Sequence, residues 1–224
     1  MQRSEAWAPV AGRVAQRYRP VLVDFGEPTL EASVAAIAAA GRGGAVVAYS
    51  MGGRIALHAA LAHRGAFRAL IVVGASPGAD TEAMRRSRRA ADNDLAAWME
   101  GERIDKVVDY WESQEVFATQ DERLVRDQRA GRLSHDPRYL ASMLRATGQG
   151  ALTPLWDRLP EIAVPVLAAA GELDPKYAEI AGRMAAQLPL GRAAIVPDAG
   201  HAAHLEQPDA FAELVLAFLD EHLG

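Results

Sequence analysis

Short apolar runs alternate along this chain with segments of helical periodicity, and this alternation limits the possible folds more than any other feature. The apolar runs have the composition of strands that are covered on both faces. They lie at residues 20–25, 44–50, 67–76, 164–174 and 191–201. The helical patterns lie at about residues 5–18, 29–40, 52–64, 175–188 and 208–222. We therefore predict an α/β fold, a mostly parallel sheet with helices on both faces.

The alternation is interrupted from about residue 79 to residue 158, where the sequence is helical in pattern and highly charged. An all-helical insertion between two strands of a parallel sheet is typical of a cap over the carboxyl ends of the strands. Open α/β sheets bind their ligands at those ends. We expect a single domain, residues 1–224, with a helical cap inserted at about 79–158.

Charge and composition exclude several functional classes. The 24 Lys and Arg against 29 Asp and Glu give a net charge of -5, so we expect neither nucleic acid nor a membrane as partner. The absence of cysteine excludes disulfides, thiolate catalysis and zinc-thiolate sites. The amino terminus lacks the apolar core of a secretory signal, and no apolar run could span a bilayer. We expect a cytoplasmic protein that uses neither a metal nor a cofactor.

One serine, Ser50, stands in "VVAYSMGGRIALHAA" between a predicted strand and a predicted helix. This arrangement matches a nucleophile elbow, although Ala48 occupies the place where the first glycine of G-x-S-x-G usually stands. A residue at the start of a helix is close to free N–H groups and to the positive end of the helix dipole. The amide of Met51 is therefore a candidate oxyanion donor.

Two further residues follow in the order that this fold class requires, an acid after a later strand and then a histidine after the last strand. Asp174 ends "VPVLAAAGELD" and His201 follows "AAIVPDAG". A serine hydroxyl is a poor nucleophile or base until an imidazole accepts its proton, and a carboxylate holds that imidazole in the correct tautomer. We predict a triad of Ser50, Asp174 and His201.

Other acidic and histidine residues near the predicted triad offer alternatives. Glu172 lies two residues before Asp174 and would point the same way if the strand continued. His204 and Glu206 follow His201 in "GHAAHLE" and with it could suggest metal ligands. Three such groups on one loop, with no clear partner elsewhere, fit supporting or surface positions better, so no metal site is predicted.

Several strings extend the likeness beyond the triad. They are "YSMGGRIALHAAL", "IVVGASPG", "RRSRRAADNDLA", "YWESQEVF", "MLRATGQGALTPLW", "GELDPKY" and "PDAGHAAHLEQPDAF". The chain resembles the α/β-hydrolase fold superfamily over almost its whole length. Within it, these strings resemble the 2-succinyl-6-hydroxy-2,4-cyclohexadiene-1-carboxylate synthase family of menaquinone biosynthesis.

The resemblance implies a lyase in which the triad serine acts as a base, a proton leaves the substrate ring and pyruvate is eliminated. The implied substrate is a small anionic molecule with several carboxylates. The implied substrate-binding residues are Arg54, Tyr49, Arg88, Trp111 and Arg132. Arginine suits this role because it pairs with carboxylates in bidentate fashion. Most arginines of the insertion would nevertheless be paired on solvated helix faces, and Trp111 could be cap core.

Members of the family normally carry a strand and an H-G loop before the equivalent of "SEAW" (4–7), and the loop supplies a second oxyanion donor. This sequence begins directly before that helix, so we expect an N-terminally shortened form of the fold. With Met51 as the single donor, the rate could fall by about 10²- to 10³-fold. An unpaired sheet edge could also favour a homodimer.

Three functions follow from these observations, in descending order. The first is the pyruvate-eliminating lyase. The second is an esterase, or a related hydrolase of a carboxylic ester or a C–C bond, because one fold hosts many chemistries. The third is a non-catalytic binding protein, since the oxyanion loop is missing.

Overall fold

A parallel sheet of four strands forms the centre of the molecule. The computed structural model describes residues 2–224. Its strands are β1 (Ala45–Tyr49), β2 (Ala69–Val73), β3 (Val166–Gly171) and β4 (Gly191–Val196). They lie side by side in chain order, and every neighbouring pair is parallel. The predicted parallel α/β fold is confirmed, and four of the five predicted strands are present.

Helices cover both faces of the sheet. The α-helices of the described residues are α1 (Ala8–Val14), α2 (Leu30–Ala40), α3 (Met51–Ala62), α4 (Glu82–Gly101), α5 (Ile104–Glu112), α6 (Glu122–Leu133), α7 (Pro137–Thr147), α8 (Pro175–Gln187), α9 (Ala203–Glu206) and α10 (Pro208–Leu223). α1 and α10 contribute to the apolar core on one face, and α2, α3 and α8 to the core on the other. No helix within residues 2–224 is long and apolar enough to cross a bilayer.

β2 lies inside the sheet and is buried on both faces, which explains why its sequence is apolar throughout. Leu70 and Val72 point into one core, while Ala69, Ile71 and Val73 point into the other. All five residues are completely buried. Because a strand covered on both faces has no polar side, its sequence is a continuous apolar run rather than an alternating one.

The prediction of a strand at residues 20–25 is wrong. This segment has the composition of a strand. Its backbone, however, makes no hydrogen bond to another backbone group within residues 2–224. Val21 and Leu22 are 59% and 44% exposed. β1 is the edge of the sheet, and a cavity lined by both 20–25 and β1 lies between them. Apolar character favours a strand, but only pairing with a neighbouring strand makes one.

The insertion between β2 and β3 contains only helices in the structure. α4 packs along α7, and a small core of its own joins Ala96, Met99, Val107 and Ala141. Helices α4 to α7 lie in this part of the chain. Its helices contribute residues to the lining of the cavity that is described below.

Candidate active site

Ser50 lies in a strained turn between β1 and α3. Its backbone has φ 46° and ψ -110°, a conformation that non-glycine residues rarely adopt. The Ser50 N–H donates to the carbonyl of Val73 at 2.9 Å, which ties the turn to the neighbouring strand. The turn directs the chain out of the sheet and into α3, as a nucleophile elbow does.

Small residues around Ser50 allow strand and helix to approach. A Cβ at Gly53 would lie 2.6 Å from Cβ of Ala75, so this position requires glycine. A Cβ at Gly52 would lie 4.0 Å from Cβ of Ala48, which is ordinary contact. The methyl group of Ala48 is therefore accommodated where the elbow motif usually has glycine.

The three residues of the predicted triad come together. His201 Nδ1 lies 2.7 Å from Oδ2 of Asp174, and His201 Nε2 lies 3.2 Å from Oγ of Ser50. Asp174 also caps α8, because its Oδ1 accepts the N–H of Tyr177 at 3.3 Å. The side chains of His201 and Asp174 are only 4% and 11% exposed. These contacts have the lengths and the order that proton transfer from a serine to an imidazole requires.

The amide of Met51 occupies the first position of α3. Within residues 2–224 its N–H has no hydrogen-bond acceptor, as expected for the first residue of a helix. Such an amide can donate to negative charge that develops beside Ser50.

A cavity of about 1430 Å³ lies over the carboxyl ends of the strands and continues along β1 toward residues 20–25. All nine residues predicted for the site line it, from the sheet and from the helical insertion alike. They are Tyr49, Ser50, Met51, Arg54, Arg88, Trp111, Arg132, Asp174 and His201.

Arg54 faces the cavity from the first turn of α3. Among residues 2–224 its guanidinium forms no ion pair, and its buried Nε has no hydrogen-bond partner. Burial lowers the pKa of Arg54 from its ordinary value. A cation with unused donors at the wall of a cavity is suited to bind an anion.

The two arginines predicted in the insertion are partly occupied by neighbouring groups. Arg88 Nε lies 2.8 Å from Oδ1 of Asp92, and about half of the Arg88 side chain, 55%, is exposed. Arg132 is buried, pairs with Glu112 at 2.9 Å and donates to Gln120 at 3.1 Å. Arg132 retains a buried Nε without a partner among the described residues.

The predicted aromatic residues lie on two sides of the cavity. Trp111 is half-buried and its ring is 5.8 Å from that of Phe117, which in turn lies 6.2 Å from the His201 ring. The Tyr49 ring is 5.3 Å from His201. Its buried hydroxyl has no partner within the described part of the chain, and burial raises the pKa of Tyr49 well above its ordinary value.

The alternative acid and the alternative metal ligands have other contacts. Glu172 accepts the N–H of Asp198 at 3.1 Å. His204 is fully buried, stacks on Trp7 at 4.3 Å and contacts the Gln2 amide oxygen at 3.0 Å. Glu206 accepts two backbone N–H groups beside His201. Within residues 2–224 no group of three His, Asp or Glu side chains is arranged to hold a metal ion.

Sequence reasoning missed several residues that surround the triad. Tyr177 lines the cavity with its ring 4.5 Å from the His201 ring, and burial raises the pKa of its hydroxyl while Arg54 opposes that rise. Its position in the first turn of the helix capped by Asp174 was the available signal. Phe117 and Gly74 also border His201, but no local sequence pattern indicates this.

A comparison with protein families matches residues 2–214 to the alpha/beta hydrolase family. Two curated relatives share a name. A protein of Bacillus subtilis (strain 168), provisionally named 2-succinyl-6-hydroxy-2,4-cyclohexadiene-1-carboxylate synthase, is 38% identical over 178 residues, 78% of this chain and 65% of the relative. The synthase of that name from Yersinia enterocolitica is 35% identical over 77% of this chain and 62% of its own length. The chain thus spans slightly less than two thirds of these relatives.

Solved structures give the same picture of the fold. MenH from S. aureus superposes with a TM-score of 0.90 at 27% identity, covering 100% of this chain and 91% of that one. A thermophilic esterase from Thermogutta terrifontis superposes with a TM-score of 0.82 at 21% identity, over 98% of this chain and 86% of the esterase. The second likeness concerns the fold alone.

Proposed function

The chain belongs to the α/β hydrolase family, and from that premise we propose that it is a lyase of menaquinone biosynthesis. The proposed reaction eliminates pyruvate from a polycarboxylate precursor and yields 2-succinyl-6-hydroxy-2,4-cyclohexadiene-1-carboxylate. The observation that carries the proposal is the Ser50–His201–Asp174 chain of contacts in a cavity that is also lined by Arg54, a cation without an ion pair among residues 2–224. The names of the two curated relatives support the choice of substrate.

In the proposed mechanism Ser50 is the base. His201 Nε2 accepts the hydroxyl proton of Ser50, and Asp174 holds the other ring nitrogen, so that the imidazolium is stabilised as it forms. The serine oxygen then removes a proton from the substrate ring. The electron pair of that C–H bond forms a ring double bond and breaks the C–O bond to the enolpyruvyl group. The imidazolium of His201 gives its proton to the leaving enolate, which becomes pyruvate, and Ser50 and His201 return to their starting protonation states.

Negative charge develops on the substrate as the proton leaves. The N–H of Met51, at the start of α3, is the proposed donor to that charge. A preformed donor costs no reorganisation during the reaction, so its contribution is larger than that of a similar group in water.

We propose that Arg54 binds one carboxylate of the substrate. Arg54 lies four residues after Ser50, in the first turn of α3, and its Nε has no hydrogen-bond partner within the described residues. Arg132, Arg88, Trp111 and Tyr49 are proposed as further contacts. The pairing of Arg132 with Glu112 and of Arg88 with Asp92 leaves each of these arginines fewer donors for a ligand.

The insertion at about 79–158 is proposed to act as a cap on the single domain. Its residues Arg88, Trp111, Phe117 and Arg132 line the same cavity as the triad. A cap that covers the reacting groups would exclude water, and exclusion of water strengthens ionic contacts to the substrate.

The test is a pyruvate assay with the purified protein and the precursor. We expect pyruvate and the cyclohexadiene product to form in equal amounts, and the Ser50→Ala variant to be inactive. A second arm measures hydrolysis of p-nitrophenyl acetate. Ester hydrolysis without pyruvate release would favour an esterase. A folded protein inactive toward both compounds would favour a non-catalytic binding role.

A further inference from the structure

The carboxylate of Glu206 holds the backbone on both sides of His201. Its Oε2 accepts the N–H of Gly200 at 2.8 Å, and its Oε1 accepts the N–H of Ala202 at 3.0 Å. Glu206 is the last residue of the short helix α9 and is half-buried. The Glu206 side chain therefore bridges the two amides that flank His201, the residue that contacts Ser50.

The two amides depend on this carboxylate. Neither the Gly200 N–H nor the Ala202 N–H has another acceptor within residues 2–224. Gly200 and Ala202 are buried, so water cannot replace a lost acceptor without rearrangement of the loop. Leaving a buried N–H without a partner is costly, and the loop would be expected to shift in order to avoid it.

The surroundings leave the loop little room to adopt another path. A Cβ at Gly200 would lie 1.9 Å from Oγ1 of Thr119, a residue of the helical insertion. At His201 itself, a Cβ at Gly74 would lie 2.9 Å from the carbonyl oxygen of the histidine. A small displacement of the loop would therefore move the His201 ring relative to Ser50 and Asp174.

We propose that Glu206 is a positioning residue for His201. By fixing the amides at 200 and 202, it holds Nδ1 of the ring on Asp174 and Nε2 on Ser50. Its two oxygens bond to the backbone rather than to the ring, so it acts through His201 and not on the substrate. The inference rests on the proposed catalytic role of His201 and is independent of the identity of the substrate.

The test uses Glu206→Gln and Glu206→Ala, with Glu172→Ala as the matched control. Glutamine keeps one acceptor oxygen, and alanine keeps none. Glu172 likewise accepts a backbone N–H, that of Asp198, but does not flank His201. Because displacement by about 1 Å can cost about 10²-fold in rate, we expect kcat to fall about 10-fold for Glu206→Gln and about 10²-fold for Glu206→Ala. KM should stay within about 3-fold, since the substrate contacts are unchanged.

A proton NMR measurement provides a readout that does not need the substrate. The proton between His201 Nδ1 and Asp174 should give a low-field resonance, assigned by its absence from His201→Gln. We expect this resonance to broaden or disappear in both Glu206 variants and to remain in Glu172→Ala. Should the wild-type protein release no pyruvate, the proposed function fails, while the resonance still decides the role of Glu206.

Two results would overturn the inference. One is a normal resonance and normal kcat in Glu206→Ala. The other is an equal loss in Glu172→Ala and Glu206→Ala, which would indicate general loosening of the loops. If Glu206→Ala does not fold, Glu206→Gln decides the question by the same criteria.

Discussion

The ring of His201 lies directly against the backbone of Gly74. A Cβ at position 74 would come within 3.0 Å of the ring Cε1 and within 2.9 Å of the His201 carbonyl oxygen. Gly74 also has φ +59°, which disfavours any other residue. The position of the histidine is thus fixed by a glycine in the loop after β2, more than a hundred residues earlier in the chain.

Replacement of Gly74 by alanine should therefore impair both stability and activity. We expect Gly74→Ala to lower the free energy of unfolding by about 1–3 kcal/mol, because of backbone strain and the clash with His201. Displacement of His201 by the added methyl group should reduce kcat by about 10-fold or more. Urea unfolding and the pyruvate assay measure the two effects.

Gly182→Ala is the control for this variant. Gly182 lies within α8, and a Cβ there would meet nothing within 4 Å. Alanine in a helix interior should stabilise the fold by about 0.5–1 kcal/mol and leave kcat unchanged. Equal behaviour of the two variants would contradict the packing argument for Gly74.

Arg54→Gln should weaken substrate binding more than it slows the chemical step. Loss of a charged hydrogen bond to a carboxylate costs about 1.5–3 kcal/mol, so KM should rise about 10- to 100-fold. The control is Arg64→Gln, because the exposed side chain of Arg64 pairs with Glu161. A KM for Arg54→Gln equal to that of the control would exclude Arg54 as a substrate contact.

Tyr177→Phe removes a hydroxyl at the cavity wall and keeps the ring against His201. We propose that this hydroxyl donates to a carboxylate of the substrate, so its removal should increase KM by about 10-fold with little change in kcat. Tyr18→Phe is the control, since the Tyr18 hydroxyl is already bonded to Asp220 at 2.9 Å. Steady-state kinetics that are identical for wild type and Tyr177→Phe would refute a binding role for this hydroxyl.

His204 should make the fold sensitive to acid. Burial lowers the pKa of His204 to about 3 from an ordinary value of 6.5. Between these values the unfolded chain binds a proton that the folded chain excludes, so stability falls as the pH falls. The contribution is about 1.4 kcal/mol per pH unit, or about 2 kcal/mol between pH 6.5 and pH 5. Well above pH 6.5 neither state binds the proton, and the contribution vanishes.

The measurement is the free energy of unfolding of wild type and His204→Gln at pH 7.0 and at pH 5.0. The variant has no group that titrates at this position, so its stability should decline less over the interval. His135, whose pKa burial lowers to about 4, is present in both proteins and does not affect the difference. An equal decline in the two proteins would argue against the buried neutral state of His204.

Local patterns were sufficient to predict the sheet, the flanking helices and the turn at Ser50. β2 is apolar at every position because both of its faces are buried, and this information is contained in the sequence itself. The order of Ser50, Asp174 and His201 also follows from the succession of strands, since parallel strands bring their carboxyl ends to one edge.

Features that depend on partners distant in sequence could not be predicted. Residues 20–25 have strand composition, yet whether they pair depends on what lies beside them. Two donors of Arg132, Nη1 and Nη2, are used by Glu112 and Gln120 on other segments of the insertion, which no periodicity reveals. The contact of Gly74 with His201, and the bonds of Glu206 to the amides on either side of His201, likewise depend on the three-dimensional path of the loops.

The most direct test of the proposed lyase is the initial rate of pyruvate release from the polycarboxylate precursor by wild type and Ser50→Ala. With Ser50 as the base, the variant should lose about 10³-fold or more in kcat while it still binds the product. Pyruvate release by Ser50→Ala at the wild-type rate, or none by either protein, would contradict the proposed function.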